Sequence, residues 1–135
     1  MSILVFKQST GELTVDNGLI GNGWAGNDYN PEFNPGRIHG KNNPLMQRVH
    51  NIGPLPQGFY TLGPWEDHHE GLGPLVAPLV PDGDTEMYGR NGFYCHGPSF
   101  DVAKQGNESR GCVVTWHNVR QHIKDLGVTR LQVIP

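Results

Sequence analysis

The chain of 135 residues is short of cysteine, of surplus positive charge and of long apolar runs, and each shortage excludes a class of protein. Two cysteines, Cys95 and Cys112, are too few for the disulfide framework of a small secreted scaffold, and two free thiols are expected. A formal charge of −3 leaves no basic stripe, so no nucleic-acid partner is expected. No stretch approaches the twenty or so apolar residues of a membrane span. The opening Met-Ser-Ile-Leu-Val-Phe-Lys-Gln lacks the basic start, the full apolar stretch and the cleavage site of a secretory signal. It reads as a first strand, and the expectation is a protein made in the cytoplasm that reaches any other compartment by some other route.

In abundance are turn formers: 19 glycines and 11 prolines. With aromatic and β-branched residues recurring along the whole length, this composition predicts one ordered, turn-rich, mainly β domain over residues 1–135. Residues 3–7 and 12–16 read as a hairpin turned at Gln8-Ser9-Thr10-Gly11, where Gly11 is free to take positive φ. Residues 27–43, rich in Asn, Pro and Gly, read as a long irregular loop, and such loops inside compact domains tend to shape functional sites. Asn43 followed by Pro44 marks the start of one helical turn. A strand is expected at 59–62, and an edge or bulged one at 75–80, where Pro78 interrupts. Asn91-Gly92 is the hairpin signal leading from 86–90 into a strand at 93–96. Near the C-terminus Thr115 is the expected N-cap of a short helix with Val119, Ile123 and Leu126 on one face and Gly127 as its stop, before a last strand at 129–134.

Three motif matches lose to their context. Gly21-Asn22-Gly23-Trp24-Ala25-Gly26 fits the dinucleotide fingerprint, but the turn sequence Asn27-Asp28-Tyr29-Asn30-Pro31 leaves no helix to follow; a glycine-rich surface loop is expected and no cofactor. His68, His69 and their acidic neighbours within 65–73 lack a third ligand at a metal spacing, so a solvated loop is expected and no metal. Asn107-Glu108-Ser109 fits a glycosylation acceptor by chance overlap with a more informative stretch.

That stretch is 93–115. Two short apolar runs, 93–95 and 113–114, bracket a loop of small and charged residues, with His96 closing the first and Cys112 opening the second. A thiol attacks a carbonyl carbon as thiolate, and an imidazole can take its proton and return it to a leaving amine. Two adjoining strands would bring this pair together. Gly111 allows a tight bend before the sulfur, and the N–H groups around residues 110–112 are candidates for an oxyanion hole. Strand alternation turns Cys95 away from the site if His96 faces it, which makes Cys95 a core residue. The loop 98–108 is the expected cleft wall.

His96-Gly97, then Ser109-Arg110-Gly111-Cys112 with sixteen positions from His96 to Cys112, resembles the His-Gly … Ser-X-Gly-Cys signature of the YkuD-like L,D-transpeptidases. Lys41-Asn42-Asn43-Pro44, the Gly53-Pro54-Leu55-Pro56-Gln57-Gly58-Phe59-Tyr60 segment and Met87-Tyr88-Gly89-Arg90-Asn91-Gly92-Phe93 look like a compact subfamily whose members include toxins exported by type VI secretion, with relatives in phage. Arg110 departs from the pattern, which usually has histidine there. The resemblance implies a single β-sandwich or barrel domain with one short C-terminal helix. It also implies an enzyme that attacks the diaminopimelyl carbonyl of peptidoglycan stem tetrapeptides through a cysteine acyl-enzyme. Water would then complete L,D-carboxypeptidation, and an amine would complete exchange or crosslinking. By position, the resemblance implies Cys112 as nucleophile, His96 as base and acid, Ser109 as a polar support counted with the catalytic set, and Gly111 and Cys112 as the oxyanion N–H donors. Arg90, Tyr94, Gly97 and Arg110 fall to substrate binding, Arg90 as a bidentate partner for a carboxylate. The implied setting is the periplasm of a target cell, reached through a secretion machine and countered by an immunity protein, or reached after phage lysis. A binding module with a dead site is the alternative outside enzymology.

Overall fold

A computed structural model describes residues 2–135. Alternation builds the strands. In β1 (Leu4–Lys7) Leu4 and Phe6 are buried while Lys7 faces solvent, and in β9 (Arg130–Ile134) Leu131 and Val133 are buried. These two strands run in parallel, Leu4 opposite Leu131 and Phe6 opposite Val133, so their apolar positions share one face. β2 (Glu12–Val15) folds back on β1, and β3 (Gly18–Trp24) follows it antiparallel. The sheet continues through β8 (Val113–Thr115), β7 (Phe93–His96) and β6 (Gly73–Pro81), with β5 (Glu66–His69) flanking β6. β4 (Gly58–Leu62) pairs with both β9 and β6 and thereby closes the sheet into a barrel-like ring, leaving eight strands without a free edge between them.

The interior is filled by Leu4, Phe6, Leu13, Leu55, Tyr60, Val113, Ile123 and Leu131, among others. Each large apolar side chain so buried contributes about 1.5–3 kcal/mol. Tyr60 belongs there because its hydroxyl donates to Pro56 O at 2.7 Å, so its one polar atom is satisfied. The single α-helix, α1 (His117–Asp125), lies on β3 and β6. The mainly β class with one short C-terminal helix agrees with the sequence reading.

Several local expectations are overturned. The glycine-rich segment at 21–26 is not a surface loop: most of it is β3, with Trp24, Ala25 and Gly26 buried. Its glycines permit close approach, since a Cβ at Gly23 would sit 2.3 Å from Val114 O, and one at Gly21 would sit 2.7 Å from the Val119 side chain. The His68 segment is solvated as expected, but it is strand β5 and not a loop, because it adds to the edge of β6. Pro78 lies inside the sheet, not at its edge. Its missing N–H faces the break between β4 and β5, where Gly63 N–H donates to Pro78 O at 3.0 Å and no reciprocal bond is needed. Residues 86–92 form no hairpin with β7, whose antiparallel partner is β6. Thr115 ends β8 and donates its hydroxyl to Asn22 O at 2.8 Å, so the N-cap of α1 falls to Trp116 without a side-chain bond. Leu126 is exposed, and the third inward position of the helix belongs to Arg120. Gly127 at φ +70° does end the helix, and Asn43 does cap the turn Pro44–Met46 by accepting from Leu45 N–H.

Candidate active site

β7 and β8 are parallel neighbours, Cys95 opposite Val113 and His96 opposite Val114. They are joined by the long excursion 97–112 instead of a hairpin. Continuing the register one step back sets Cys112 beside Tyr94, and the Tyr94 N–H donates to Cys112 Sγ at 3.3 Å. Strand alternation then separates the two thiols. Cys95 is 1 % exposed within the core, whereas Cys112 and His96 both line a cavity of about 870 Å³. Both thiols are free.

The electrostatics of the pair follow from its burial. Burial pushes the Cys112 thiol up to about 11, against the opposing pull of the Tyr94 N–H and the Arg90 charge. Burial also lowers the proton affinity of His96 below the ordinary imidazole value, partly countered by its bond to Gly97 O. That bond fixes the tautomer. A carbonyl only accepts, so Nδ1 carries the proton it donates to Gly97 O at 2.9 Å, and Nε2 keeps the basic lone pair. Both shifts favour a thiol and a neutral imidazole over a preformed ion pair, with the Nε2 lone pair of His96 left free to accept a proton.

The Cys112 loop is held from behind. Ser109 is fully buried, and its Oγ accepts from Gly26 N–H at 2.9 Å and from Gly111 N–H at 3.1 Å while donating to Cys112 O at 2.7 Å. With all three bonds going to backbone, Ser109 is a positioning residue and not one that meets substrate. The bond from Gly111 also corrects the oxyanion expectation: that N–H is engaged by Ser109, which leaves the Cys112 N–H as the member of the pair not so engaged. Gly111 has φ +132°, and a Cβ there would meet the Phe93 ring at 2.5 Å and Arg90 Nη2 at 2.7 Å, so only glycine fits the bend.

Arg90 is not placed to bind substrate. It is 5 % exposed; Nη1 donates to Gln47 O and Pro54 O, both at 2.7 Å, and Nη2 to Gly53 O and Arg110 O, both at 2.9 Å. Four carbonyls from three segments converge on one guanidinium, which ties the Cys112 loop to residues 47–54. Gly97 lines the cavity, but its lack of a side chain answers to packing, since a Cβ there would lie 2.7 Å from Arg120 Nη1. Arg110, by contrast, is exposed, reaches the cavity and stacks on Phe33 with its guanidinium carbon 4.4 Å from the ring centroid. Tyr94 lines the cavity beside His69, ring centroids 4.8 Å apart.

Sequence reasoning missed three residues. Arg120 is buried on α1 and donates to Leu75 O, Thr115 O and Pro74 O, fixing the far end of β8 as Arg90 fixes the near end. Glu108, passed over as part of a glycosylation match, accepts from Trp24 Nε1, Gly106 N–H and Ser99 N–H at 2.8–2.9 Å and so shapes the loop 97–108. Asn27, buried, donates to Ser109 O and Asn51 O. A polar residue at a buried position is invisible without the fold, and no spacing rule marks these three. The loop 98–108 supplies Pro98, Ser99, Phe100 and Glu108 to the cavity wall. The segment 27–43, expected to shape the cleft, supplies none of the described lining and stands behind the Cys112 loop, touching the site through Asn27 on Ser109 and Phe33 on Arg110. Among the described residues no three His, Cys, Asp or Glu side chains are grouped as a metal site would need. No helix among them is long and apolar enough to cross a membrane.

No protein-family profile matches the sequence, and no curated protein is similar to it at a significant level. Solved structures do match the fold. An L,D-transpeptidase from Mycobacterium smegmatis superposes with a TM-score of 0.54 at 16 % identity, over 99 % of this chain and 58 % of the other. An L,D-transpeptidase from Mycobacterium tuberculosis H37Rv gives 0.54 at 15 %, over 99 % and 57 %. The chain thus has the L,D-transpeptidase fold and spans a little over half the length of those relatives.

Proposed function

We propose that the protein is a peptidoglycan-modifying cysteine enzyme acting on stem tetrapeptides, with Cys112 as nucleophile and His96 as base and acid. One observation carries this reading: adjacent parallel strands deliver a thiol and an imidazole of the correct tautomer to a single cavity. The likeness in fold to solved L,D-transpeptidases supports it.

On this reading His96 Nε2 takes the Cys112 proton as the sulfur attacks the carbonyl carbon of the third stem residue. The Cys112 N–H steadies the oxygen that gains the electron pair. The carbon–nitrogen bond to the terminal D-Ala then breaks, and His96 returns the proton to the departing amine, leaving a thioester. Water, deprotonated by His96, completes carboxypeptidation, while a D-amino acid in its place completes exchange. Because Arg90 is engaged by carbonyls, Arg110 is the cation available to a substrate carboxylate. The proposed setting is that of an antibacterial effector delivered to the periplasm of a target cell by a secretion machine and neutralised in its producer by an immunity protein.

Digestion of purified disaccharide-tetrapeptide followed by mass spectrometry tests the activity. Loss of terminal D-Ala, or its exchange for an added D-amino acid, is expected from the wild type and not from Cys112→Ala. A wild type that leaves the tetrapeptide intact under both conditions overturns the reading.

A further inference from the structure

Next to the cavity at Cys112 lies a second groove of about 340 Å³, and Pro98 and Phe100 line both. The second groove lies between two aromatic side chains that the fold leaves in solvent. Phe100 is 87 % exposed on the loop 97–108, and Trp116 is 48 % exposed at the start of α1. Large apolar side chains presented together beside a site mark a binding surface more often than scattered exposure does.

The Trp116 ring and the backbone beside Phe100 are both held in place. The Trp116 ring meets Trp24 edge to face with centroids 5.7 Å apart. Trp24 is in turn fixed by its Nε1–H to Glu108 Oε1 at 2.8 Å, and Glu108 Oε2 accepts from Ser99 N–H, next to Phe100, at 2.8 Å. One carboxylate therefore sets both platforms. The rest of the groove is mainly apolar, with Leu72, Pro74 and Pro98 in its lining, and it has no carboxylate. Gln105 and His117 lie along it, and the Arg120 guanidinium beneath is engaged by three carbonyls.

We propose that this groove is a subsite for the amino-sugar part of the substrate. It rests on the reading above, since the stem peptide of peptidoglycan is attached to an amino sugar. The chemistry fits an uncharged ring whose C–H face carries partial positive charge and packs on the negative face of an aromatic side chain, with hydroxyl and acetamide groups met by Gln105 and His117. The spacing fits as well. Trp116 follows Cys112 by four residues of largely extended chain, about 13 Å at the rise of a strand. Three extended stem residues reach about 10 Å, before the lactyl link to the sugar is added.

Binding separates this inference from the catalytic one. Titration calorimetry on Cys112→Ala would compare disaccharide-tetrapeptide with free tetrapeptide. The sugar-bearing ligand is expected to bind about tenfold more tightly, a difference of about 1.4 kcal/mol. Added Trp116→Ala or Phe100→Ala should each erase most of that preference, and Trp116→Ala, at a residue that lines the second groove and not the cavity at Cys112, should leave the free tetrapeptide unaffected. Phe100, being almost wholly in solvent, supplies a variant whose folding is not in question. Equal affinities in the parent, or a preference that persists in both variants, overturns the subsite. If the wild type turns over disaccharide-tetrapeptide while the preference is absent, only the subsite fails; if neither substrate is turned over, it is the catalytic reading that fails.

Discussion

The Tyr94 amide donates to the Cys112 sulfur at 3.3 Å. This places the thiol against the backbone of the strand that also carries His96, two residues on. The thiol is thus held by β7 before any substrate arrives, and the geometry of the pair depends on the β7–β8 register more than on side-chain freedom.

The two cysteines should separate by experiment. Cys112→Ala is expected to abolish turnover with little change in melting temperature. Cys95→Ala should retain measurable turnover and lose about 1–2 kcal/mol of stability, because it opens a small void at a core position 1 % exposed. Denaturant unfolding and mass-spectrometric product analysis on both variants check this, and turnover surviving in Cys112→Ala would reverse the assignment.

The pH dependence follows from the two shifts. With the Cys112 thiol raised to about 11, its alkylation by iodoacetamide in the free enzyme should keep rising with pH from 6 to 9 and show no plateau near neutrality. A plateau there would mean a preformed thiolate–imidazolium pair. Turnover should fall on the acid side as His96 is protonated, with a midpoint below the 6.5 of a free imidazole, since burial depresses it. The same shift has a consequence for folding. Unfolded His96 takes up a proton that the folded site resists, so this contribution to stability holds above pH 6.5 and is lost as pH falls through the depressed value.

The two arginines of the site should behave oppositely. Arg90→Ala leaves four carbonyls without their donor and is expected to cost at least about 3 kcal/mol in stability, with turnover falling alongside. Arg110→Ala should keep its melting temperature and raise KM about tenfold with kcat within about twofold, the signature of lost ground-state binding. Steady-state kinetics with calorimetric melts distinguish them. An Arg110→Ala enzyme with unchanged KM would remove Arg110 from substrate recognition.

Ser109→Ala removes three hydrogen bonds to backbone at a fully buried position. The expected result is a loss of about 1–3 kcal/mol in stability and a lower kcat at nearly constant KM, since the Cys112 loop loosens while the binding surface stays. An unchanged kcat would show that the loop is held without Ser109.

What the sequence determined by itself are the features written in local order: the mainly β class from its turn formers and alternating runs, the positions of seven of the nine strands (all but β3 and β5) within two residues, the turn at Asn43-Pro44, the helix stop at Gly127 and the candidate pair His96 and Cys112. Alternation also turned Cys95 into the core, because period two is a local property. Only the tertiary structure decided the rest, and for one recurring reason: a residue's neighbours across the sheet are not written near it in the chain. Arg90 has the composition of a carboxylate binder and becomes a strut because four carbonyls from residues 47, 53, 54 and 110 converge on it. The glycines at 21–26 match a phosphate-binding fingerprint yet serve the close approach of β8 and α1. Arg120, Glu108 and Asn27 carry no chemical motif of their own, and most of their partners lie between 9 and 84 residues away. The candidate pair at His96 and Cys112 was legible because it sits in one short stretch; the scaffold that positions it was not, because long-range hydrogen bonds to backbone leave no trace in spacing.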